Sequence, residues 1–321
     1  MTENKVMTAS EAVENWVHRG DCVSLGGFTI NRNPMALTHE IIRQSIGDLH
    51  VVLHSGSQAL DLLIGAGLVG MLEIAYGANG RLANTCIRFA KAAEEGRIRV
   101  EDYSNYQMTL RFMAGAMGVP YLPTFSSLGT DIISRWGFDS AFRSHKPRLP
   151  SKKLIVAVDP FSDDGKRVVL VPAINPDVAL IHAQKASSDG CVRLEGLSFA
   201  DIEQARASKH VIVTCEELVS SEKLRREPWR NSLPHVIVDA VVHQPYGAHP
   251  TACHLYYDYD TQHLTEYADI AEDDGRFQEY TTTHIRRTKN FDEYLRLIGQ
   301  DRLNSIKASP VLGYAKRRPE K

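Results

Sequence analysis

The most constraining feature of this chain is a unit that repeats through its first third. Each unit has a short, continuous apolar run, a turn of small residues and then a helical pattern. The apolar runs occupy 22–25, 49–53, 72–76 and 98–100. Continuous rather than alternating apolar runs indicate strands buried on both faces, and intervening helices indicate parallel crossovers. The sequence therefore predicts an α/β fold with a mostly parallel sheet covered by helices on both faces.

Capping signals predict where several helices begin. Thr8 with Glu11, and Ser104 with Gln107, have the spacing of a capping box. Asn33 is followed by a proline, so we expect it to cap a further helix with that proline in the first position.

The second half of the chain is dense in strands. The apolar runs that predict them are 154–158, 168–171, 178–182, 192–194, 211–215 and 236–242. Helical patterns cover 201–208 and 222–226, and the charged, proline-containing stretch 145–153 is typical of a linker or surface loop. We expect a single domain over 1–313 and a polar tail over 314–321.

Composition excludes several classes of protein. The chain has 37 basic and 39 acidic residues among 321, and this balance argues against a nucleic-acid partner. No apolar stretch approaches the ~20 residues that span a bilayer, and the polar N-terminus lacks the apolar region of a signal peptide. The five cysteines are scattered singly, which indicates reduced thiols and a cytoplasmic location.

Small residues follow three of the predicted strands, at 26–28, 55–57 and 78–80. The carboxyl ends of parallel strands meet at one edge of a sheet, where such folds bind ligands. None of these three turns fits G-x-G-x-x-G or G-x-x-x-x-G-K-[ST], so they do not indicate a dinucleotide site or a P-loop. The glycines either let backbone N–H groups approach a ligand or serve only to close tight turns.

Histidine patterns give no clear catalytic site. The chain has no G-x-S-x-G elbow, and its 13 histidines lack H-x-x-x-H metal spacing on an evident helix. His182 ends an apolar strand, so we expect a hydrogen-bonded structural histidine. His249 lies in a loop after a strand, where contact with a ligand and a structural turn are equally compatible with the sequence.

Carboxylates are equally uninformative when taken one at a time. Glu216 and Glu217 follow a predicted strand, a place for a catalytic acid but also for a helix cap. Glu101 and Asp102 precede Ser104 and fit the capping role. No carboxylate of this chain is marked as an activated nucleophile.

A series of segments, in register from about residue 5 to 313, carries a family resemblance. They are 25–29 with Arg32 and Pro34, 78–79 with Asn84, 101–104, 177–187, 213–217, 238–242, 245–250 and 257–260. Together they resemble the alpha subunits of glutaconate CoA-transferases, which are family I CoA-transferases. The resemblance implies the fold of that family.

The resemblance also implies a reaction and a partner. Family members move CoA from an acyl-CoA to a free carboxylic acid through a glutamyl-CoA thioester, and the glutamate lies in the beta subunit. The expected partner is therefore a beta-type subunit, with the CoA thioester as substrate, no tightly bound cofactor, no metal and no catalytic nucleophile in this chain. The alpha chain is expected to form one wall of the site, with backbone donors for the oxyanion.

The residues expected in the acyl or CoA pocket follow from the same resemblance. They are Gly26, Gly27, Phe28, Ser55, Gly56, Asn79, Gly80, Arg81, Ser104 and Asn105. The chain departs from glutaconate enzymes at Gly80, where they carry serine, and at 54–58, where they are rich in glycine and alanine. Both departures line the expected pocket, so another small carboxylic or dicarboxylic acid is as compatible as glutaconate. Arg81 either restores a carboxylate contact or lies on the surface.

Branches of the same fold supply alternative functions. In steroid-ring-cleaving hydrolases the alpha chain has a glutamate at the position of Asn105, and asparagine cannot act as a general base. A second branch decarboxylates acyl-CoA thioesters with an altered nucleophile in the partner. A non-catalytic acyl-CoA-binding subunit is the remaining alternative.

Overall fold

The computed structural model of this chain describes residues 4–83 and 85–315, and at Arg81 only the backbone. Its strands are β1 (Cys22–Leu25), β2 (Leu49–Gly56), β3 (Val69–Gly77), β4 (Arg99–Asp102), β5 (Tyr121–Thr124), β6 (Ile155–Val158), β7 (Arg167–Pro172), β8 (Val178–Ser187), β9 (Val192–Arg193), β10 (His210–Val219) and β11 (Ala240–His243). Its α-helices are α1 (Ala9–Trp16), α2 (Met35–Arg43), α3 (Gln58–Gly65), α4 (Ile87–Glu94), α5 (Asn105–Met117), α6 (Asp131–Ser134), α7 (Ser140–Ser144), α8 (Asp201–Ala207), α9 (Ser221–Arg225), α10 (Thr261–Glu272), α11 (Asp274–Thr281), α12 (Phe291–Ile298) and α13 (Gln300–Ile306).

The main sheet has eight strands and confirms the predicted parallel architecture. Its order is β11-β10-β8-β1-β2-β3-β4, and β9 pairs with β8. Every pair along this order is parallel, and the β8–β9 pair is antiparallel. In β1 at the centre, Val23 packs in the large core with α1 and α2, whereas Cys22 packs with Phe112 of α5 on the opposite face. Helices therefore cover both faces, which explains why the strands read as continuous apolar runs.

A smaller antiparallel sheet has the order β5-β7-β6. It packs on α5, where Leu110 joins Val169 and Val171 in a separate apolar cluster. Strand β5 is not evident in the sequence because it is short, largely exposed and contains Pro123. Proline without an N–H is confined to edge positions of sheets, and β5 is an edge strand.

The helix caps are partly as predicted. The capping boxes at Thr8 and Ser104 are confirmed. The prediction for Asn33 is wrong, because α2 begins after Pro34 and has no side-chain cap. Asn33 instead accepts a hydrogen bond from the Ala59 N–H at 3.2 Å, and it thereby satisfies a free donor in the first turn of α3.

The capping role expected for Glu101 and Asp102 is also wrong. Both residues lie in β4. Glu101 is buried and pairs with Arg143, and it accepts a hydrogen bond from the Gly137 N–H at 2.7 Å. Asp102 accepts from Lys153 Nζ at 2.9 Å. These acidic residues tie the connection after β5 to the main sheet.

The ends of the predicted segments need smaller corrections. Strand β11 begins at Ala240 rather than at 236, because His235–Ile237 forms a 3-10 turn. Helices α10 to α12 pack aromatic side chains such as Tyr267 and Tyr294 into the large core. Residues 316–321 of the predicted tail lie outside the described part of the chain, and the single domain over 1–313 stays a prediction. Among the described residues, no helix is both long and apolar enough to cross a bilayer.

Candidate active site

The turns after β1, β2, β3 and β4 meet at one edge of the main sheet. The Thr29 N–H donates to the Ser55 carbonyl at 3.3 Å, and the Ala78 N–H donates to the Gly56 carbonyl at 3.1 Å. Ser55 Oγ donates to Asn105 Oδ1 at 3.2 Å. We call this contiguous set of turns (26–29, 54–58, 78–80 and 103–105) the carboxyl edge.

The first turn does not supply free backbone donors. The N–H groups of Gly26 and Phe28 donate to backbone carbonyl groups at 2.9 Å, and that of Gly27 donates to Asp201 Oδ1 at 2.6 Å. The expectation that these N–H groups face an oxyanion is therefore wrong, because all of them bond within the protein. Gly27 has a φ of +82°, and a Cβ there would overlap the carbonyl oxygen of Asn31, so the turn itself requires glycine.

A buried ion pair holds this turn in place. Asp201, at the start of α8, pairs with the guanidinium of Arg32, and both side chains are almost fully buried. Arg32 also donates to the Leu197 carbonyl at 2.8 Å and to the His182 carbonyl at 3.3 Å. Asp201 thus binds both the backbone and a side chain of the loop after β1. Asp201 and Arg32 are 169 residues apart in the chain, so the sequence alone did not indicate this contact.

Aromatic rings form one wall of the carboxyl edge. Phe28 stacks on Phe199, with ring centroids 4.6 Å apart and an angle of 10° between the planes. The His54 ring lies 5.4 Å from Phe28, and the Arg32 guanidinium lies 5.7 Å from the Phe199 centroid. Phe28, His54 and Phe199 are partly exposed, so this wall is open on one side.

Three polar side chains form a hydrogen-bonded chain next to this wall. His54 Nδ1 lies 3.1 Å from Ser55 Oγ, which donates to Asn105 Oδ1. Because the Ser55 hydroxyl proton points to Asn105, its oxygen accepts from His54 Nδ1–H, and His54 Nε2 is left as an acceptor. Burial lowers the pKa of His54, and the charge of Asp201 opposes this only in part, so the ring is neutral at pH 7. His54 was expected only as part of the departing stretch 54–58 and not as a site residue. The signal for it in the sequence is a histidine placed directly after the apolar run 49–53.

The turn after β3 presents a buried amide pair. Asn79 Nδ2 donates to Gln58 Oε1 at 3.2 Å. Asn79 Oδ1 and Gln58 Nε2 have no hydrogen-bond partner among the described residues. Gly80 has a φ of +58°, and no atom of the described residues lies within 4 Å of the position of a Cβ. The side chain of Arg81 and all of Asn84 lie outside the described residues, so their expected contacts stay predictions.

Ser104 is bonded to Gln107 and lies next to Ser126. Its hydroxyl accepts from the Gln107 N–H at 3.1 Å and lies 2.9 Å from Ser126 Oγ. Beyond Ser126 a cavity of about 820 Å³ opens between α5 and the small sheet. Its apolar lining includes Tyr106, Tyr121, Phe125, Val158, Phe161 and Leu170. The volume lies within the ~300–1,000 Å³ of small-molecule sites.

A second polar cluster lies in the middle of β8 and β10, just beyond the carboxyl end of β1. His182 bonds to Thr214 Oγ1 and Glu216 Oε1, both at 2.7 Å, and Tyr257 donates to Glu216 at 2.6 Å. All four side chains are buried. This confirms His182 as a hydrogen-bonded structural histidine. Glu216 is neither a cap nor an exposed acid, because β10 continues through it to Val219.

A metal does not fit this cluster well. His182, Glu216 and Cys253 bring one ligand atom each within 4.8 Å of one another. However, His182 Nε2 and Glu216 Oε1 are 2.7 Å apart, which is a hydrogen-bond distance. Tetrahedral ligands of zinc at ~2.0–2.2 Å lie about 3.3 Å apart. The group is therefore a hydrogen-bonded core.

His249 is structural as well. It is fully buried, with Nδ1 2.8 Å from the Tyr294 hydroxyl and Nε2 3.1 Å from Asp260. Both ring nitrogens are thus used within the protein. The sequence was equally compatible with contact with a ligand and with a structural turn at His249, and these contacts favour the structural turn. Glu217, the remaining candidate acid, accepts from the Tyr256 hydroxyl at 3.0 Å.

Comparisons with known proteins agree with this architecture. The model of the coenzyme A transferase family matches residues 6–244. The chain is 40% identical to the A subunit of glutaconate CoA-transferase from Acidaminococcus fermentans, over 97% of each chain. The crystal structure of that enzyme superimposes on it with a TM-score of 0.94, over 98% of each chain. This chain is also 35% identical to the A subunit of 3-oxoadipate CoA-transferase from Pseudomonas knackmussii, over 90% of this chain and 96% of the relative.

A third relative carries a different activity. The structure of a cysteine variant of the decarboxylase AibA/AibB superimposes with a TM-score of 0.72 at 31% identity, over 89% of this chain and 100% of that one. The family model covers most of the chain, and both CoA-transferase relatives align with nearly all of it. This chain therefore belongs to the coenzyme A transferase family.

Proposed function

We propose that this chain is the A-type member of a heteromeric CoA-transferase, which moves CoA between an acyl-CoA and a small carboxylic or dicarboxylic acid. One observation carries the assignment of roles between the two chains. The carboxyl edge has no carboxylate of its own, and Asp201, which accepts from the Gly27 N–H within it, is buried and paired with Arg32. Both CoA-transferase relatives are A subunits, so a partner that brings the nucleophile is the consistent arrangement.

The proposed reaction needs one carboxylate nucleophile. A glutamate of the partner attacks the thioester carbonyl, CoA thiolate leaves, and a mixed anhydride forms. The thiolate then attacks the glutamyl carbonyl, which gives a glutamyl-CoA thioester and releases the first acid. The acceptor acid reverses these steps. Covalent catalysis divides one difficult exchange into easier ones.

This chain then supplies binding and orientation. We place Phe28, with its partner Phe199, against the acyl portion, where the rings exclude water from the thioester. The chain of His54, Ser55 and Asn105 would hold polar groups of the substrate in a fixed orientation. Gly26, Gly27 and Gly56 shape the turns. Ser104 leads to the 820 Å³ cavity, whose apolar lining suits an acyl chain or the pantetheine arm of CoA.

The identity of the acid depends on the turn after β3. Asn79 and Gln58 present an unpartnered acceptor and donor within the described residues. Gly80 leaves space there, and Arg81 is the cation next to it in the sequence. We therefore favour an acid with a second polar group, such as a dicarboxylate. No metal or tightly bound cofactor is needed, and free thiols at all five cysteines support a cytoplasmic location.

A trapping experiment tests the proposal. The chain is co-expressed with a beta-type partner subunit, incubated with acyl-CoA, and treated with borohydride or hydroxylamine. The expected product is one modified glutamate in the partner and none in this chain. Transfer of CoA by this chain alone would contradict the division of labour. Release of CO2, or of free CoA without an acceptor acid, would favour the decarboxylase or the hydrolase.

A further inference from the structure

A second cavity opens at the opposite, amino-terminal edge of the main sheet. It has a volume of about 330 Å³ and lies next to Cys22, the first residue of β1. Its remaining lining includes His50, Glu73, Arg111, Arg148 and Asp177. Because Gly26 follows the other end of β1, this cavity is separate from the carboxyl edge. Its volume is at the lower end of the range for small-molecule sites, ~300–1,000 Å³.

Four side chains of this cavity lie in sequence across the sheet. Cys22 and His50 are opposite each other on the neighbouring parallel strands β1 and β2, so they share a face. His50 Nε2 lies 3.0 Å from Glu73 Oε1. Glu73 Oε2 in turn accepts from Arg111 Nη1 at 2.6 Å. The order is therefore thiol, imidazole, carboxylate and guanidinium.

His50 is buried without a complete set of partners. The residue is 3% exposed, and neither ring nitrogen makes a well-aligned hydrogen bond in the described part of the chain, although Nε2 lies 3.0 Å from Glu73 Oε1. Burying such a nitrogen is costly unless a ligand or a neighbouring group uses it. Burial lowers the pKa of His50, but the neighbouring Cys22 and Glu73 raise it to about 10. The imidazole therefore carries a proton beside the thiol at neutral pH.

The other cysteines have a different environment. Burial, as the largest cause, raises the pKa of the thiols of Cys86, Cys191, Cys215 and Cys253. A raised pKa keeps a thiol protonated and a poor nucleophile. Cys191 is the only one of the five that is not buried. It is therefore the natural internal reference for the reactivity of Cys22.

We propose that Cys22 is a nucleophilic thiol and that the cavity beside it is a modification site for small disulfides. The Cys22 thiolate attacks one sulfur of the disulfide, the S–S bond of the reagent breaks, and a new S–S bond to Cys22 forms. The departing thiolate takes a proton from His50, so one thiol is released for each thiol modified. Glu73, fixed by Arg111, holds the imidazole in position, as a third group does in nucleophile–base pairs.

The mouth of the cavity supports access by a small reagent. Arg148 and Asp177 form an ion pair there, and their side chains are 55% and 27% exposed. Cys22 itself is 5% exposed, so a bulky reagent cannot reach it without movement of this pair. A disulfide with short arms, such as cystamine, fits the volume.

Differential labelling tests this site in the full-length chain bound to its partner. The complex is treated with cystamine at pH 7, and the modification of each cysteine is followed by peptide mass spectrometry. Cys22 should react about tenfold or more faster than Cys191, although Cys191 is more exposed. In His50→Gln, Cys22 should slow by about tenfold while Cys191 keeps its rate. Faster reaction of Cys191, or an unchanged Cys22 rate in the variant, would overturn the proposal.

The wild-type protein gives a test that does not depend on the folding of the variant. In concentrated urea the cavity is lost, and both thiols should react at similar rates. The ratio of Cys22 to Cys191 modification should therefore fall by about tenfold on unfolding. A ratio that is equal or higher in urea would show that the fold does not activate Cys22.

Discussion

The buried pair of Asp201 and Arg32 offers a quantitative test of how the candidate active site is held together. Asp201→Asn keeps the shape of the side chain and an acceptor for the Gly27 N–H, but it removes the negative charge that faces the guanidinium. Arg32 is left as a buried cation without its counter-ion. The loss in free energy of unfolding therefore depends on the surroundings of Arg32 and not on those of the new asparagine.

The magnitude follows from the remaining partners of Arg32. Breaking a buried ion pair by removing one partner costs ~3–5 kcal/mol. Arg32 still donates to the carbonyl groups of Leu197 and His182 at 2.8 and 3.3 Å. We therefore expect Asp201→Asn to lower the free energy of unfolding by about 3 kcal/mol, the lower end of that range.

Urea denaturation, followed by tryptophan fluorescence, measures the change. Asp131→Asn is the matched control, because it removes the same charge from the Arg135–Asp131 pair, whose side chains are 81% and 80% exposed. Water screens exposed pairs, so this variant should unfold at the same urea concentration as the wild type. Arg32→Met in the Asp201→Asn background removes the unpaired cation and should recover part of the loss. If Asp201→Asn costs no more than the control, the anchoring role of this pair is refuted.

Three further predictions concern the site and the pH dependence of stability. Asn105→Ala breaks the hydrogen-bonded chain to Ser55, so kcat/KM should fall by about tenfold or less, as expected for one hydrogen bond. Met117→Ala, at the exposed far end of the same helix, should leave kcat/KM unchanged. Gly80→Ser adds a hydroxyl in open space, but the φ of +58° should cost the variant about 1 kcal/mol of stability. It should lower KM for a dicarboxylic acid by about threefold to tenfold but not for a monocarboxylic acid, and equal effects on both would contradict a contact with the second carboxylate. Burial lowers the pKa of His39 well below its usual value. Below pH ~6.5 the unfolded chain therefore binds a proton that the folded chain does not. As the pH falls, the free energy of unfolding should decrease by up to ~1.4 kcal/mol per pH unit. His39→Phe should reduce that slope between pH 6 and 5 in urea titrations, and an unchanged slope would mean that His39 does not contribute.

Local patterns were sufficient to predict the framework of this protein. The four strands of the first third and the capping boxes at Thr8 and Ser104 depend on residues a few positions apart, and the structure has them where the sequence indicated. The parallel sheet followed from the continuous apolar character of those strands. The convergence of the turns after them is then a consequence of topology, which places all carboxyl ends at one edge.

Contacts between distant segments could not be predicted in the same way. Asn33 has the sequence of a cap for the helix that follows it, yet its amide serves α3. The Gly27 N–H was expected to face a ligand, yet a carboxylate from α8 accepts it. In both cases a short polar side chain has several equivalent partners, and only the packing of elements far apart in the chain selects one.

The pairing of Asp201 also bears on why the nucleophile is expected in the partner. Two carboxylates that share a site repel each other, and the pKa of one rises strongly. A nucleophilic glutamate must be ionised, so a second free carboxylate beside it would reduce the reactive fraction. In this chain Asp201, the acid bonded to the first turn of the carboxyl edge, is neutralised by Arg32 and held by the Gly27 N–H, and the neighbouring imidazole of His54 is neutral. Residues 26–29, 54–58, 78–80 and 103–105 therefore present rings, amides and hydroxyls and no carboxylate, and a glutamate from a partner would meet no like charge among them.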